Sequence, residues 1–152
     1  MEFRQSHIAL CVTDLSRSMN FYSALGFQAA EVFELPAGAN TPINTLLELK
    51  NVHLVAQFMR HPDRIALELI VFKSPKPAEE HAQRSTALVG FKHLSFYVDD
   101  LDSAARALEA AGGKVLWHTR THFDRGDIDA IFCNDPDGTR IELMQVAKHD
   151  HQ

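Results

Sequence analysis

Cysteine is scarce in this chain: its 152 residues include only Cys11 and Cys133. Two thiols exclude a disulfide-stapled fold, and their separation excludes the Cys-x-x-Cys spacing of a structural zinc or redox site. Each is therefore expected as a free, mostly buried thiol. Long apolar runs are also lacking, since none approaches the ~18 residues that a membrane-crossing helix needs. Residues 1–6 have no apolar segment of the signal-peptide kind, so the expected location is cytoplasmic, with no membrane partner. Basic residues are not in excess either: 15 Lys and Arg stand against 20 Asp and Glu, a net charge of −5. Without a Lys/Arg stripe the electrostatic footprint of a nucleic-acid binder is absent, which leaves a small molecule as the expected partner.

What is present is a globular composition, 45% hydrophobic and 23% charged, which suits one domain or two small modules around a core. An internal repeat decides between these. His7-Ile-Ala-Leu-Cys-Val-Thr-Asp-Leu15 matches His93-Leu-Ser-Phe-Tyr-Val-Asp-Asp-Leu101 without a gap, and Gly26 and Gly112 each follow 19 residues after their histidine. A second pair of segments also repeats, Pro62-Asp63-Arg64 leading to Glu68 and Pro136-Asp137-Gly138 leading to Glu142. The offset is 86 residues for the histidines and 74 for the glutamates, so the first copy carries an insertion of 12 residues, placed around residues 36–50.

Within each copy, Ile8, Leu10 and Val12 alternate with His7, Ala9 and Cys11 at the period of two of a half-buried strand. Asp14 or Ser16, and Asp100 or Asp102, suit the N-cap of an amphipathic helix that ends near the glycine. Three extended stretches follow, over residues 29–35, 52–59 and 65–72 in the first copy and 114–118, 130–133 and 139–146 in the second. The Pro-Asp pairs make tight turns before the last strands. The predicted fold is α+β: a first βαβββ module over residues 1–72, a polar linker over 73–90, a second module over 91–147 and a charged tail over 148–152. Leu46, Leu47 and Leu49 in the insertion fit a short helix or an extra strand equally well.

Strand parity assigns faces. The bulky Ile8, Leu10, Leu94 and Phe96 turn toward the helices, so His7 and His93 turn away from them. Glu68 and Glu142 each sit mid-strand between leucine or isoleucine neighbours, where an unpaired charge would be costly. Two such curved sheets, brought side by side as one mixed sheet around a cavity, would line that cavity with His7, Glu68, His93 and Glu142. Two imidazoles and two carboxylates form an N/O donor set suited to one divalent ion, Zn, Ni, Fe, Mn or Co, with positions left for substrate.

The motifs His7-x4-Val-x-Asp-Leu-x5-Phe-Tyr-x2-Leu-Gly-Phe27 and Asn134-Asp-Pro-Asp-Gly-x2-Ile-Glu-Leu143 resemble the vicinal oxygen chelate superfamily, over nearly the whole chain. That group includes glyoxalase I, methylmalonyl-CoA epimerase, extradiol dioxygenases and the fosfomycin and bleomycin resistance proteins. The resemblance implies a glyoxalase-like fold holding one metal, with His7, Glu68, His93 and Glu142 at the positions of the ligands in the glyoxalase I and epimerase-like branches. It further implies a metal-dependent lyase or isomerase, acting by proton transfer next to a chelated carbonyl, with Glu142 as general base and Glu68 as its partner on the opposite face. A homodimer is expected, with the modules paired within a chain or exchanged between subunits. The alternatives are an Fe(II) extradiol-type dioxygenase, which would leave Glu68 without a metal role, and a non-catalytic drug-binding resistance protein, which would lack the ligands.

Further candidates contact substrate rather than metal. Cys11 and Tyr97 share the ligand face. His118 and His122 flank an expected polar loop with Arg120, Asp124 and Arg125, which could close over the cavity and hold an anionic group. His53, His61 and His81 read as surface or turn residues, and His149 and His151 fall in the tail.

Overall fold

In the first βαβββ copy the alternation becomes four strands and two helices: β1 (Ile8–Cys11), α1 (Leu15–Ala24), β2 (Gln28–Leu35), α2 (Pro42–Leu47), β3 (His53–Arg60) and β4 (Ala66–Ser74). The second copy gives β5 (Leu94–Tyr97), α3 (Leu101–Ala110), β6 (Lys114–Phe123), β7 (Ile128–Asn134) and β8 (Arg140–Val146). The structure is a computed structural model that describes residues 1–39, 41–77, 87 and 89–147. Contacts divide the chain into two compact units, Met1–Glu80 and His81–Gln152. Each holds one four-stranded mixed sheet, in the order β1-β4-β3-β2 and β5-β8-β7-β6, so the fold is α+β. In each, the first strand pairs in parallel with the last and the remaining pairs are antiparallel.

Local chemistry explains the boundaries. Asp14 and Asp100 are the N-caps, their side chains accepting from the backbone N–H of Arg17 (2.9 Å) and Ser103 (2.6 Å), donors that the first helical turn leaves without an intrahelical partner. Backbone N–H donation to a carboxylate holds the Asp100 carboxyl below its usual range. Both helices stop where the chain turns left-handed at Gly26 (φ 94°) and Gly112 (φ 96°), a conformation that glycine enters without steric cost. In the first unit α1 buries Phe21 and Tyr22 completely beside Phe27, Leu67 and Leu69, and in the second α3 buries Leu101, Ala105 and Leu108 with Ile131, Ile141 and Leu143.

The insertion is helical. Asn44 is buried at its centre, its amide donating to the Gly38 carbonyl (2.7 Å) while its oxygen accepts from Val52 N–H (3.0 Å). Ile43 and Leu47 then pack against the buried Val52, Leu54 and Ala56, as Ile70 and Phe72 of β4 do. These strand residues lie on the sheet face opposite α1, so one end of that face is roofed by α2.

The hairpin of the second unit departs from expectation. Its β6 strand continues to Phe123 rather than ending at His118, so His118, Arg120 and His122 lie in the strand and the turn is confined to residues 124–127. A register shift between Leu116 and Thr121 makes the extension possible. Thr119 staples it, its hydroxyl donating to the Leu116 carbonyl (2.7 Å) and accepting from Phe132 N–H (3.0 Å). A shift also occurs in the first unit between Ala29 and Val32, where the buried Gln57 amide donates to the carbonyls of Ala30 (3.1 Å) and Phe58 (2.8 Å).

The Pro-Asp turns close in the same way, through His61 N–H to Ile65 O and Asp135 N–H to Thr139 O, both 2.8 Å. Each turn has one left-handed residue, Arg64 (φ 63°) in the first and Gly138 (φ 96°) in the second. A side chain at Gly138 would meet no atom within 4 Å, so only backbone strain opposes it. Gly138→Ala is therefore expected to lower stability by about 1 kcal/mol, and Arg64→Gly to raise it by about 0.5 kcal/mol, both read from denaturant midpoints at constant m. An unchanged midpoint for both would refute the strain assignment.

Candidate functional site

Parallel pairing of first and last strands places one histidine beside one glutamate in each unit. In the first, Ala9 pairs with Glu68, and His7, two residues earlier on the same face, brings its Nε2 to 3.1 Å from Glu68 Oε2. The other ring nitrogen, Nδ1, lies 2.9 Å from the Ser6 hydroxyl, which fixes the edge that faces the carboxylate. Phe58, the β3 partner of Glu68, sets its ring edge-on to the imidazole at 5.3 Å.

The second unit repeats this. Ser95 pairs with Glu142, His93 Nε2 stands 3.4 Å from Glu142 Oε2, and Phe132, the β7 partner of Glu142, meets the imidazole at 5.5 Å. One difference is chemical: Ser95 Oγ donates to Glu142 Oε2 (2.8 Å), while Ala9 at the equivalent position offers Glu68 no donor. Arg140 also places its guanidinium over the Phe132 ring, 5.1 Å from the centroid.

Solvent access is alike in the two pairs. The imidazoles are 34% and 35% exposed and the carboxylates 20% and 22%. Groups this open can receive an external ligand, whereas the flanking Leu67, Leu69, Ile141 and Leu143 are fully buried on the opposite face. The donors in each pair, one imidazole nitrogen and one carboxylate, are those that borderline divalent cations accept. Among the described residues no group of three or more His, Cys, Asp or Glu gathers closely enough to hold a metal ion; within each unit the candidate ligands form a pair.

Ser6, Ser95, Phe58 and Phe132 were not singled out in the sequence. Each phenylalanine stands ten residues before its glutamate, so the repeat that revealed the ligands also contained them. The serines could not be found that way, because their counterparts are Lys92 and Ala9.

The remaining candidates are less assembled. Tyr97 ends β5, exposed on the face of His93 and Ser95, and lines a cavity of about 350 Å³ with Val98, Asp99 and Val146. Arg125 is exposed at the β6–β7 turn. His122 is engaged by its own hairpin, with Nδ1 3.0 Å from Asp129 and Nε2 3.6 and 3.7 Å from Asp124 and Asp127. Arg120 is ion-paired with Asp102, and His118 is exposed. His53 meets Glu34 at 2.8 Å, and His61 sits in the first Pro-Asp turn with its ring against Phe27. His81, His149 and His151 lie outside the described residues.

Cys11 corrects the expectation of a buried thiol: it is exposed, because parity puts it on the His7 face that α1 does not cover. Cys133 is buried, and desolvation, with Asp135 adding to it, pushes its pKa up to about 12.

Comparison with known proteins gives consistent results. The family model described as the Glyoxalase/Bleomycin resistance protein/Dioxygenase superfamily matches residues 4–143. The uncharacterized protein YaeR of Escherichia coli (strain K12) is 29% identical over 145 residues, covering 91% of this chain and 93% of that protein. A glyoxalase family protein from Bacillus cereus superposes with a TM-score of 0.82 at 16% identity, covering 96% of this chain and 95% of that one. Glyoxalase I from Zea mays gives 0.61 at 22% identity over 93% of this chain, which spans 44% of the maize chain. At these identities the two structures establish the fold alone.

The two thiols should separate chemically. An aromatic disulfide reagent at pH 8 is expected to label one thiol rapidly and the second only on unfolding. Rapid labelling that persists in Cys11→Ser would contradict the burial of Cys133.

Proposed function

The chain belongs to the glyoxalase/bleomycin resistance protein/dioxygenase superfamily, and from that premise we propose that it is a metal-dependent lyase or isomerase that moves a proton next to a chelated carbonyl. The observation that carries the reading is the duplication of one arrangement, an imidazole 3.1 or 3.4 Å from a carboxylate with a phenylalanine edge behind it, in both units. In both units the same two donor types also stay part-exposed, the imidazoles by 34% and 35% and the carboxylates by 20% and 22%, so each pair stands open to an external ligand. In this reading His7, Glu68, His93 and Glu142 together hold one divalent ion, Zn, Ni, Fe, Mn or Co.

When bound, such an ion supplies Lewis acidity, stabilising the negative charge that develops on a substrate oxygen as a neighbouring C–H proton leaves. The chain's own residues do the rest. Glu142 accepts the proton, and Glu68 returns or receives it on the opposite side of the substrate carbon. Ser95 and His93 both contact Oε2 of Glu142, which restrains the direction in which that carboxylate faces. Ser6 restrains His7 in the same sense. Cys11, Tyr97, Arg125 and His122 are proposed to contact substrate. Retention of Glu68 beside His7 favours this chemistry over ring-cleaving oxygenation, which needs only two histidines and one glutamate, and over simple drug sequestration, which needs none. The active form is proposed to be a cytoplasmic homodimer.

Replacing any one of the four is expected to weaken divalent-ion binding at least about 100-fold. Turnover of the hemithioacetal of methylglyoxal, or of a 2-methyl-branched acyl-CoA, should fall in parallel. Calorimetry with zinc, together with the two assays on His7→Ala, Glu68→Gln, His93→Ala and Glu142→Gln, checks this. Wild-type zinc affinity in any of the four would remove that residue from the set, and in all four would end the reading.

A further inference from the structure

The insertion that distinguishes the first unit builds a cavity of about 660 Å³ between α2 and the end of β2, lined by Leu35, Pro36, Thr41, Pro42, Ile43 and Leu46. That volume falls within the range of small-molecule pockets. Five of the six lining side chains are apolar and none is charged, so a charged or strongly polar ligand would lose its hydration without compensation there. Leu46 (77% exposed) and Leu35 (37% exposed) leave apolar surface at its mouth.

Its position relates it to the His7–Glu68 pair. Leu35 pairs with Leu54 and Phe33 with Ala56. Leu54 and Ala56 lie on the face of Phe58 and Glu68, because Leu54 pairs with Phe72, Ala56 with Ile70 and Phe58 with Glu68. Rings join the two regions: Phe33 meets Phe58 edge-on at 6.0 Å, and Phe58 meets His7 at 5.3 Å. Four residues of strand separate the Glu68 row from the Phe72 row, about 13 Å at ~3.3 Å per residue. An apolar track thus runs from the candidate ligands to the cavity along one sheet face.

We propose that the cavity is the tail subsite for a substrate with two neighbouring oxygens at one end and an apolar chain or aryl group at the other, about 13 Å farther along the strands and two strand spacings, about 10 Å, across them. This rests on the metal-centred reading above and adds to it the class of substrate: an amphiphilic carbonyl compound rather than a small polar one. It also gives the insertion a role that the second unit, whose hairpin turns at residues 124–127, has no segment to fill.

Alkyl hydroxamic acids test it, since the head offers two adjacent oxygens and the tail length is variable. The zinc-loaded full chain is titrated calorimetrically with hydroxamates of two, six, ten and fourteen carbons, and the series is repeated on Leu46→Glu, an exposed position whose replacement leaves the core intact. Affinity is expected to rise with tail length along the apolar track and most steeply, by about fourfold per added methylene, once the tail enters the cavity. Leu46→Glu should lose at least tenfold for the longest tail while binding acetohydroxamate as the parent does. A flat series, or a rise that survives Leu46→Glu, overturns the subsite. Dodecanol binding to the metal-free chain separates the two claims. If acetohydroxamate fails to bind zinc-loaded protein, the functional reading fails; if dodecanol binds in that case, the cavity is apolar but serves no chelated substrate, and the subsite fails too. A dimer that dissociates in Leu46→Glu with hydroxamate affinity unchanged would assign the cavity to a second copy of the chain and overturn the proposal.

Discussion

A carboxylate in the middle of a strand, between two fully buried apolar neighbours, has to find a partner on the one face left to it. In both units parallel pairing of the first and last strands supplies that partner. Register between Ala9 and Glu68, and between Ser95 and Glu142, brings the residue two positions upstream alongside the carboxylate, and in both cases it is histidine. Shift either register by one residue and the glutamate would turn into the helix-covered face, where its charge would be unsatisfied. The helices, caps and Pro-Asp turns all serve to keep that register, and the two pairs of side chains follow from it.

Much of this was legible in the residues because duplication makes sequence patterns self-checking. Strand parity placed Ile8, Leu10 and Leu94 against the helices and the histidines away from them, and burial follows that alternation. Asp14 and Asp100, rather than Ser16 and Asp102, became the caps, since only they stand three residues before the N–H that each one accepts. The choice between helix and strand for the insertion was not legible, because Leu46, Leu47 and Leu49 carry no decisive period. Asn44 settled it by bridging Gly38 and Val52 through its amide, a tertiary contact that no local pattern announces.

Other features were hidden for related reasons. The β6 strand runs on past His118 because Thr119 absorbs a register shift that polar composition alone would read as loop. Cys11 was expected inside as cysteines usually are, yet its place in the period of two puts it outside. Ser6 and Ser95 depart from the repeat, and they are the residues that make the pairs unequal: a hydroxyl restrains the imidazole in one unit and the carboxylate in the other. Aromatic support from Phe58 and Phe132 does obey the repeat, and is recognisable once the sheets are known. In the first unit that support extends through Phe33 toward the α2 cavity, so the shared arrangement and the inserted segment meet on one surface.

The central claim is that both His–Glu pairs serve a single cation. Its most direct measurement is the number of zinc or cobalt ions bound per chain at saturation, by elemental analysis after equilibrium dialysis, in the parent protein and after removal of either histidine. One ion per chain, lost when either His7 or His93 is replaced, is the predicted result. Two ions per chain, or a site that survives the loss of one histidine, would show that the pairs act separately and contradict the account.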